Sequence, residues 1–221
     1  MTQSITLSRR VDDLVASPIR DILSVSDRPG MVSFAGGLPS EDAFPDVGWF
    51  PVPQRSLQYD PTEGEPELRA RVADDLRRRG LKCTARQVLI LSGSQQEIDL
   101  VAKLFIDPAT LVAVESPTYL DALQVFKFYG ACLNAFESSD QAKLRAAIKG
   151  RAFAYVTPKF QNSTGRCYSK AEREALSYVC DSILTPLFED VPYCDLNYDN
   201  CPTDPNRASL ERAPWVYQGS F

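Results

Sequence analysis

Apolar and polar positions along the chain follow two rhythms. Between Glu65 and Arg79 the apolar residues recur at helical spacing, with Leu68, Val72 and Leu76 on one face and charges opposite. That predicts a helix, which Gly80 ends. Beyond it, short apolar runs predict strands at Gln87–Leu91, Leu111–Val114, Ala131–Phe136, Ala152–Val156, Pro186–Phe188 and Trp215–Gln218. Helical spacing returns between them, over Gln95–Phe105 with Ile98, Val101, Ala102 and Phe105 inward, Tyr119–Tyr129, Gln141–Ile148 and Ala171–Ser182. Strands separated by helices of this length need crossover connections, so the expected fold is α/β, a mostly parallel sheet flanked by helices.

The first part of the chain reads differently. Ser8 to Val25 has mixed helical spacing interrupted by Pro18, and Pro29-Gly30 and the stretch Phe34 to Pro39 break regular structure. Pro45 to Pro53 continues as loop. The expected division is an N-terminal arm over 1–45 and a main domain over 46–221.

Composition narrows the chemistry. Formal charge is −5, from 24 basic and 29 acidic residues, which argues against a dedicated nucleic-acid surface. Arg77, Arg78 and Arg79 close the first helix, where basic side chains meet the negative end of the helix dipole. No pair of the six cysteines has CxxC spacing, and with 0 histidines neither a zinc set nor a Ser-His or Cys-His nucleophile is available. The N-terminus lacks a signal-peptide pattern and no apolar stretch spans a bilayer, so a cytoplasmic protein with reduced thiols and no membrane partner is expected.

In an open parallel sheet, ligands bind where strands end and loops enter helices. Ser92-Gly93-Ser94-Gln95-Gln96 follows the first predicted strand. A Gly and small polar residues opening a helix suit a phosphate, because the helix end offers free N–H groups and partial positive charge. Ser94 as a plain helix cap is the competing reading. Tyr119, in Glu115-Ser116-Pro117-Thr118-Tyr119, suits either a planar ligand or an ordinary rim position. Asn162, in the run Pro158 to Gly165, is a candidate hydrogen-bonding group or a turn residue. Glu189-Asp190-Val191-Pro192-Tyr193 places acids at the end of an apolar run, where burial is costly without a partner.

These blocks occur in one order: Leu57-Gln58-Tyr59 with Pro61-Thr62-Glu63-Gly64, Ser92 to Gln96, Glu115 to Tyr119, Phe160 to Gly165, and Glu189 to Tyr193. Together they resemble fold-type I, pyridoxal-phosphate-dependent aminotransferases of class I/II, in the branch with 2-aminoadipate and kynurenine aminotransferases. The resemblance runs from about Val32 to Phe221. It implies that 46–221 is the cofactor-binding large domain and that the cofactor is pyridoxal 5′-phosphate. Gly93, Ser94, Gln95 and Ser220 match phosphate contacts, and Tyr59 a tyrosine reaching the neighbouring subunit's phosphate. Tyr119 matches the aromatic stacked on the ring, Asn162 and Tyr193 the pair on its phenolic oxygen, and Asp190 the carboxylate at its nitrogen. Gly37 matches a backbone element that lines the substrate pocket with Asn162. Ser163 and Val191 depart from the family's usual proline and acid, away from cofactor contacts.

By the same resemblance, the Schiff-base lysine should follow a Ser-Phe-Ser run just beyond Gly219-Ser220-Phe221, so no catalytic lysine is expected within the chain. Lys159 and Lys170 do not match its position. The expectation is an inactive fragment, incomplete at its C-terminus, whose parent enzyme exchanges an amino group between an α-amino acid and a 2-oxo acid as a homodimer. A non-catalytic binding module with an aminotransferase-like fold is the alternative. A regulator's sensor half would need an N-terminal helix-turn-helix, for which residues 1–31 are too short and too weakly basic.

Overall fold

The structure is a computed structural model that describes residues 8–11, 22, 28–32, 40–46, 48, 51–59, 61–198 and 205–220. The first long helix, α1, spans Pro66–Arg78. Proline is tolerated at its first position because that N–H has no helical partner. The Glu65 side chain accepts from the N–H groups of Glu67 and Leu68 (2.7 and 3.1 Å). The inward face of α1 is centred on Ala73, 1% exposed, with Val72 and Leu76 beside it. Leu68 is 40% exposed, which corrects the predicted Leu68–Val72–Leu76 stripe.

Next come α2 (Ser94–Phe105), β1 (Leu111–Glu115), α3 (Leu120–Phe128), β2 (Cys132–Phe136), α4 (Gln141–Ile148), β3 (Ala154–Val156), α5 (Lys170–Ile183), β4 (Leu187–Val191) and β5 (Trp215–Gly219). Capping follows local sequence: Asp140 accepts from the Lys143 N–H (3.2 Å), and Ser169 and Glu172 form a reciprocal capping box on α5. The five strands form one parallel sheet in the order β2-β1-β3-β4-β5.

The sheet is buried on both faces, and side chains of each strand alternate between two cores. Ala113, Ala154, Val156 and Leu187 face Leu144 and Ile148 of α4 and Leu176, Val179 and Cys180 of α5. Val112, Val114, Tyr155 and Phe188 face Ile98, Val101 and Ala102 of α2 and Ala122 and Phe126 of α3. By the same alternation Asp190 falls on the α2 side and Glu115 on the α5 side.

The chain leaves β1 for β2 on one side, then returns over β1 to β3. Helices α3 and α4 therefore lie on opposite faces, and the crevice between β1 and β3 opens at their carboxyl ends.

Two predicted strands are corrected. Gln87–Leu91 is not one: a 3₁₀ turn at Ala85–Gln87 leads into an extended segment outside the sheet. Its backbone is satisfied elsewhere, with Ile90 N–H donating to the Glu63 carbonyl (3.0 Å) and Arg69 Nε to the Val88 carbonyl (2.9 Å). In turn, β4 runs on to Val191, three residues past the predicted end, because its ladder with β5 continues to the pair Val191–Gly219.

Candidate functional site

A pocket opens at the carboxyl ends of β1, β3 and β4, against the N-terminus of α2. It is lined by Ser94, Tyr119, Thr157, Lys159, Phe160, Asn162, Asp190, Pro192 and Tyr193. Five predicted site residues, Ser94, Tyr119, Asn162, Asp190 and Tyr193, thus meet in one hollow although 99 positions separate the first from the last.

Gly93 is the N-cap of α2, at φ +98°, a backbone conformation that favours glycine, and no side chain caps the helix. Ser94 is the first helical residue rather than the N-cap. The α2 end therefore presents N–H groups and positive dipole to the hollow. Gln95 Nε2 donates to Tyr119 Oη (2.9 Å), which donates to Asp121 Oδ2 (2.9 Å). Burial, the largest effect, pushes the Tyr119 phenol up to about 12, so the half-buried ring remains neutral at ordinary pH.

The loop after β3 is ordered by Gln161, 4% exposed. Its Nε2 donates to the carbonyls of Pro117 and Asn162 (both 2.8 Å), and its Oε1 accepts from Thr164 N–H and Oγ1 (3.0 and 2.6 Å). These bonds tie the loop carrying Asn162 to the loop that carries Tyr119.

Asp190, 2% exposed, accepts from Tyr155 Oη through Oδ2 (2.6 Å). Its Oδ1 is buried and, among the described residues, has no hydrogen-bond partner. Burial raises this acid to about 6 against the lowering effect of Tyr155. Glu97, on the first turn of α2, rises to about 8 through burial first and the charge of Asp190 second. Among the described residues, Asp190 Oδ1 is therefore an open acceptor. A ligand with a cationic N–H would complete Asp190, and a ring nitrogen that becomes protonated beside a carboxylate is such a group.

The remaining predicted residues lie elsewhere. Gly93 and Gln95 flank Ser94 but do not line the hollow, Ser220 is exposed just past β5, and Tyr59 is 98% exposed. Gly37 lies outside the described residues. Sequence reading missed Thr157, Phe160 and Pro192, and saw Lys159 only as a lysine out of position. A Lys 1% exposed and a Thr 4% exposed at the end of an apolar strand carry the same signal as Glu189-Asp190: polar groups where burial requires a partner.

The model of the family "Aminotransferase class I and II" matches residues 51–221. The chain belongs to the class I and II aminotransferase family. It is 31% identical to an aromatic-amino-acid aminotransferase of Thermococcus litoralis, over 97% of this chain and 56% of that protein. It is 34% identical to a 2-aminoadipate transaminase of Thermus thermophilus, over 93% of this chain and 55% of that protein. Among solved structures, the kynurenine aminotransferase of Pyrococcus horikoshii in complex with PMP superposes with a TM-score of 0.82 at 28% identity, over 97% of this chain and 58% of that one. The chain thus spans a little over half the length of these aminotransferases, and the part it spans has their fold.

Proposed function

We propose that this rim holds pyridoxal 5′-phosphate and that the protein serves amino-group transfer between an α-amino acid and a 2-oxo acid. The observation that carries the reading is Asp190, which lines the pocket and whose buried Oδ1 has no donor among the described residues. The PMP in the Pyrococcus structure supports the same class of ligand.

In this reading the α2 N-terminus with Gly93, Ser94 and Gln95, joined by Ser220 from the end of β5, takes the phosphate. Tyr119 lies against the ring, fixed in angle by its bonds to Gln95 and Asp121. Asn162 and Tyr193 hydrogen-bond the phenolic oxygen, and Asp190 holds the proton on the ring nitrogen. When bound, the cofactor supplies an electron sink for breaking a bond at the amino acid's α-carbon. The chain's residues bind and orient it, and Asp190 keeps the sink protonated. Residues 46–221 are then the cofactor domain and 1–45 the arm, whose Gly37 joins Asn162 on the substrate side.

We place the protein in the cytoplasm, in amino acid metabolism, and as a homodimer. Support for a partner surface is the exposure of Val52, Leu57 and Tyr59 (63, 75 and 98%), apolar side chains close together in sequence. Tyr59 is the residue assigned to the neighbouring subunit's phosphate.

Calorimetric titration of the 221-residue chain with pyridoxal phosphate tests the reading. Reversible binding is expected, weakened about tenfold or more by Asp190→Asn, which removes a charge-assisted hydrogen bond. Equal affinity in the two proteins means that Asp190 does not meet the ring.

A further inference from the structure

Behind the wall formed by Lys159 and Tyr193 lies a polar cluster that the proposed function does not use. Cys194, 4% exposed, accepts from Lys159 Nζ (3.4 Å) and from Arg79 Nη1 (3.3 Å). Tyr217 Oη bonds the same sulfur. Arg79 is held in place by Asp195 and Asp75 (both 2.8 Å). The members come from four places: the end of α1, the loop after β3, the turn after β4, and β5. One sulfur therefore sits among two cationic donors and a phenol in the interior.

None of the other described cysteines accepts a hydrogen bond at sulfur from a lysine amine. Cys167 accepts from the Phe160 N–H (3.4 Å), Cys83 lies near the Ala73 carbonyl (3.9 Å), Cys180 is buried in the α5 core and Cys132 is exposed. Cys194 is also next to Tyr193, and Lys159 is three residues from Asn162. Both of those neighbours line the pocket, as does Lys159 itself. A water-sized oxidant entering the pocket thus meets the side chain that leads to the sulfur.

We propose that Cys194 and Lys159 form a peroxide-sensitive pair, closing a covalent Sγ–Nζ sulfenamide between the loop after β3 and the turn after β4. In the first step the sulfur takes one oxygen of hydrogen peroxide. The O–O bond breaks, the thiol becomes a sulfenic acid, and the other oxygen leaves as water. In the second, Nζ, having given its ammonium proton to solvent, attacks the sulfur and forms the S–N bond. The S–O bond breaks, and the hydroxyl leaves as water with a proton from the nitrogen. The sulfur loses two electrons, the peroxide gains them, and the protein loses two hydrogens. Arg79 and Tyr217 remain as donors that orient the sulfur. Contracting 3.4 Å to a bond pulls the segments bearing Asn162 and Tyr193 toward each other, so oxidation reshapes the pocket.

The test is peptide mass spectrometry of the full chain after mild hydrogen peroxide, with iodoacetamide blocking of the thiols that remain. Trypsin does not cut at a linked Lys159, so the product joins peptide 152–166 to the cysteine-bearing peptide 174–207. Its mass is lower than the sum of the two by two hydrogens, fragmentation places the link at Cys194, and dithiothreitol reverses it. In Lys159→Arg, which keeps a cationic donor but no primary amine, the link should vanish and a dimedone-reactive sulfenic acid appear at Cys194. Peroxide that leaves Cys194 as a thiol, or converts it only to unlinked oxides, overturns the proposal. So does the same two-hydrogen loss at Cys194 in the arginine variant. The wild-type measurement decides the matter even if the variant does not fold. No cofactor is present, so failure here leaves the reading of the pocket untouched.

Discussion

Two acids near the carboxyl ends of β1 and β4, which flank β3 in the same sheet, meet opposite fates. Glu115, at the end of β1, turns to the α5 side and is surrounded by donors. Thr157 N–H reaches its Oε1 at 2.5 Å, Thr157 Oγ1 donates to the same oxygen, and Tyr168 Oη donates to Oε2. Asp190, next to last in β4, turns to the α2 side and, among the described residues, receives Tyr155 alone and leaves one oxygen bare. Both are almost wholly buried, and burial raises both above the ordinary carboxylate range. The difference is in completion. A buried acid with its full set of donors stitches loops together and belongs to the architecture. One that lines a pocket with an oxygen left open suits a ligand, as proposed above. The bare oxygen, not the burial, marks the functional site.

The largest expected effect breaks the architectural member. Glu115→Ala strips the acceptor from two buried hydroxyls and a buried N–H at once. With 1–3 kcal/mol for each stranded donor, the loss should be about 4 kcal/mol in chemical denaturation. Glu115→Gln, which keeps an acceptor oxygen, should recover about half. A loss under about 1 kcal/mol for the alanine variant would show that Tyr168 and Thr157 find other partners and that Glu115 is no keystone.

The other member should respond with the opposite sign. Asp190 titrates near 6 in the folded state against about 3.8 when free, so between those values the native state binds more protons than the unfolded one. Stability from this group is present below about pH 4 and is lost as pH rises through about 6. At roughly 1.4 kcal/mol per pKa unit, the whole effect is about 3 kcal/mol. Asp190→Asn keeps the acceptor for Tyr155 and removes the charge. In the absence of ligand, its stability relative to the parent should therefore climb from near zero at pH 4 to about 3 kcal/mol at pH 7. Denaturant midpoints at a series of pH values measure it. Subtracting variant from parent cancels the opposing contributions of acids such as Asp99 and Glu172, whose partners lower them. A flat difference would mean that Asp190 already has a partner when the pocket is empty.

Much of this contrast was legible in the sequence, and the illegible part has physical causes. Alternation of strands and helices implies the parallel sheet, the rule that ligands sit at strand ends points to Ser94, Tyr119, Asn162 and Asp190, and the family resemblance adds Tyr193; the fold brings all five together. Glu189-Asp190 looked like the end of a strand because charge interrupts an apolar run, whereas β4 continues through both. Which way each acid faces depends on register, a two-residue periodicity that only pairing fixes. The donors around Glu115 lie 42 and 53 positions away, and no local pattern announces contacts at that distance. Gln87–Leu91 had the composition of a strand, but a strand exists only with a ladder partner, and its backbone groups bond to Glu63 and Arg69 instead. Lys159 does not match the position of the family's lysine, and its burial beside a sulfur depends on two loops that only the fold brings together.

The smallest effect comes from the residue that belongs to both regions. Thr157 donates to Glu115 through Oγ1 and also lines the pocket that Asp190 floors. Thr157→Val keeps its shape and its backbone N–H, so it removes a single hydroxyl donor from a charged acceptor. One such bond is worth about 1.5 kcal/mol, and the denaturation midpoint should fall accordingly. Affinity for pyridoxal phosphate should change less than about threefold, because neither Asp190 Oδ1 nor the α2 N-terminus is touched. If affinity falls as steeply as stability, the two acids act as one network that runs through Thr157. If stability falls alone, β3 insulates an architectural acid from a functional one, and the contrast between Glu115 and Asp190 holds at the one residue where it is most exposed to failure.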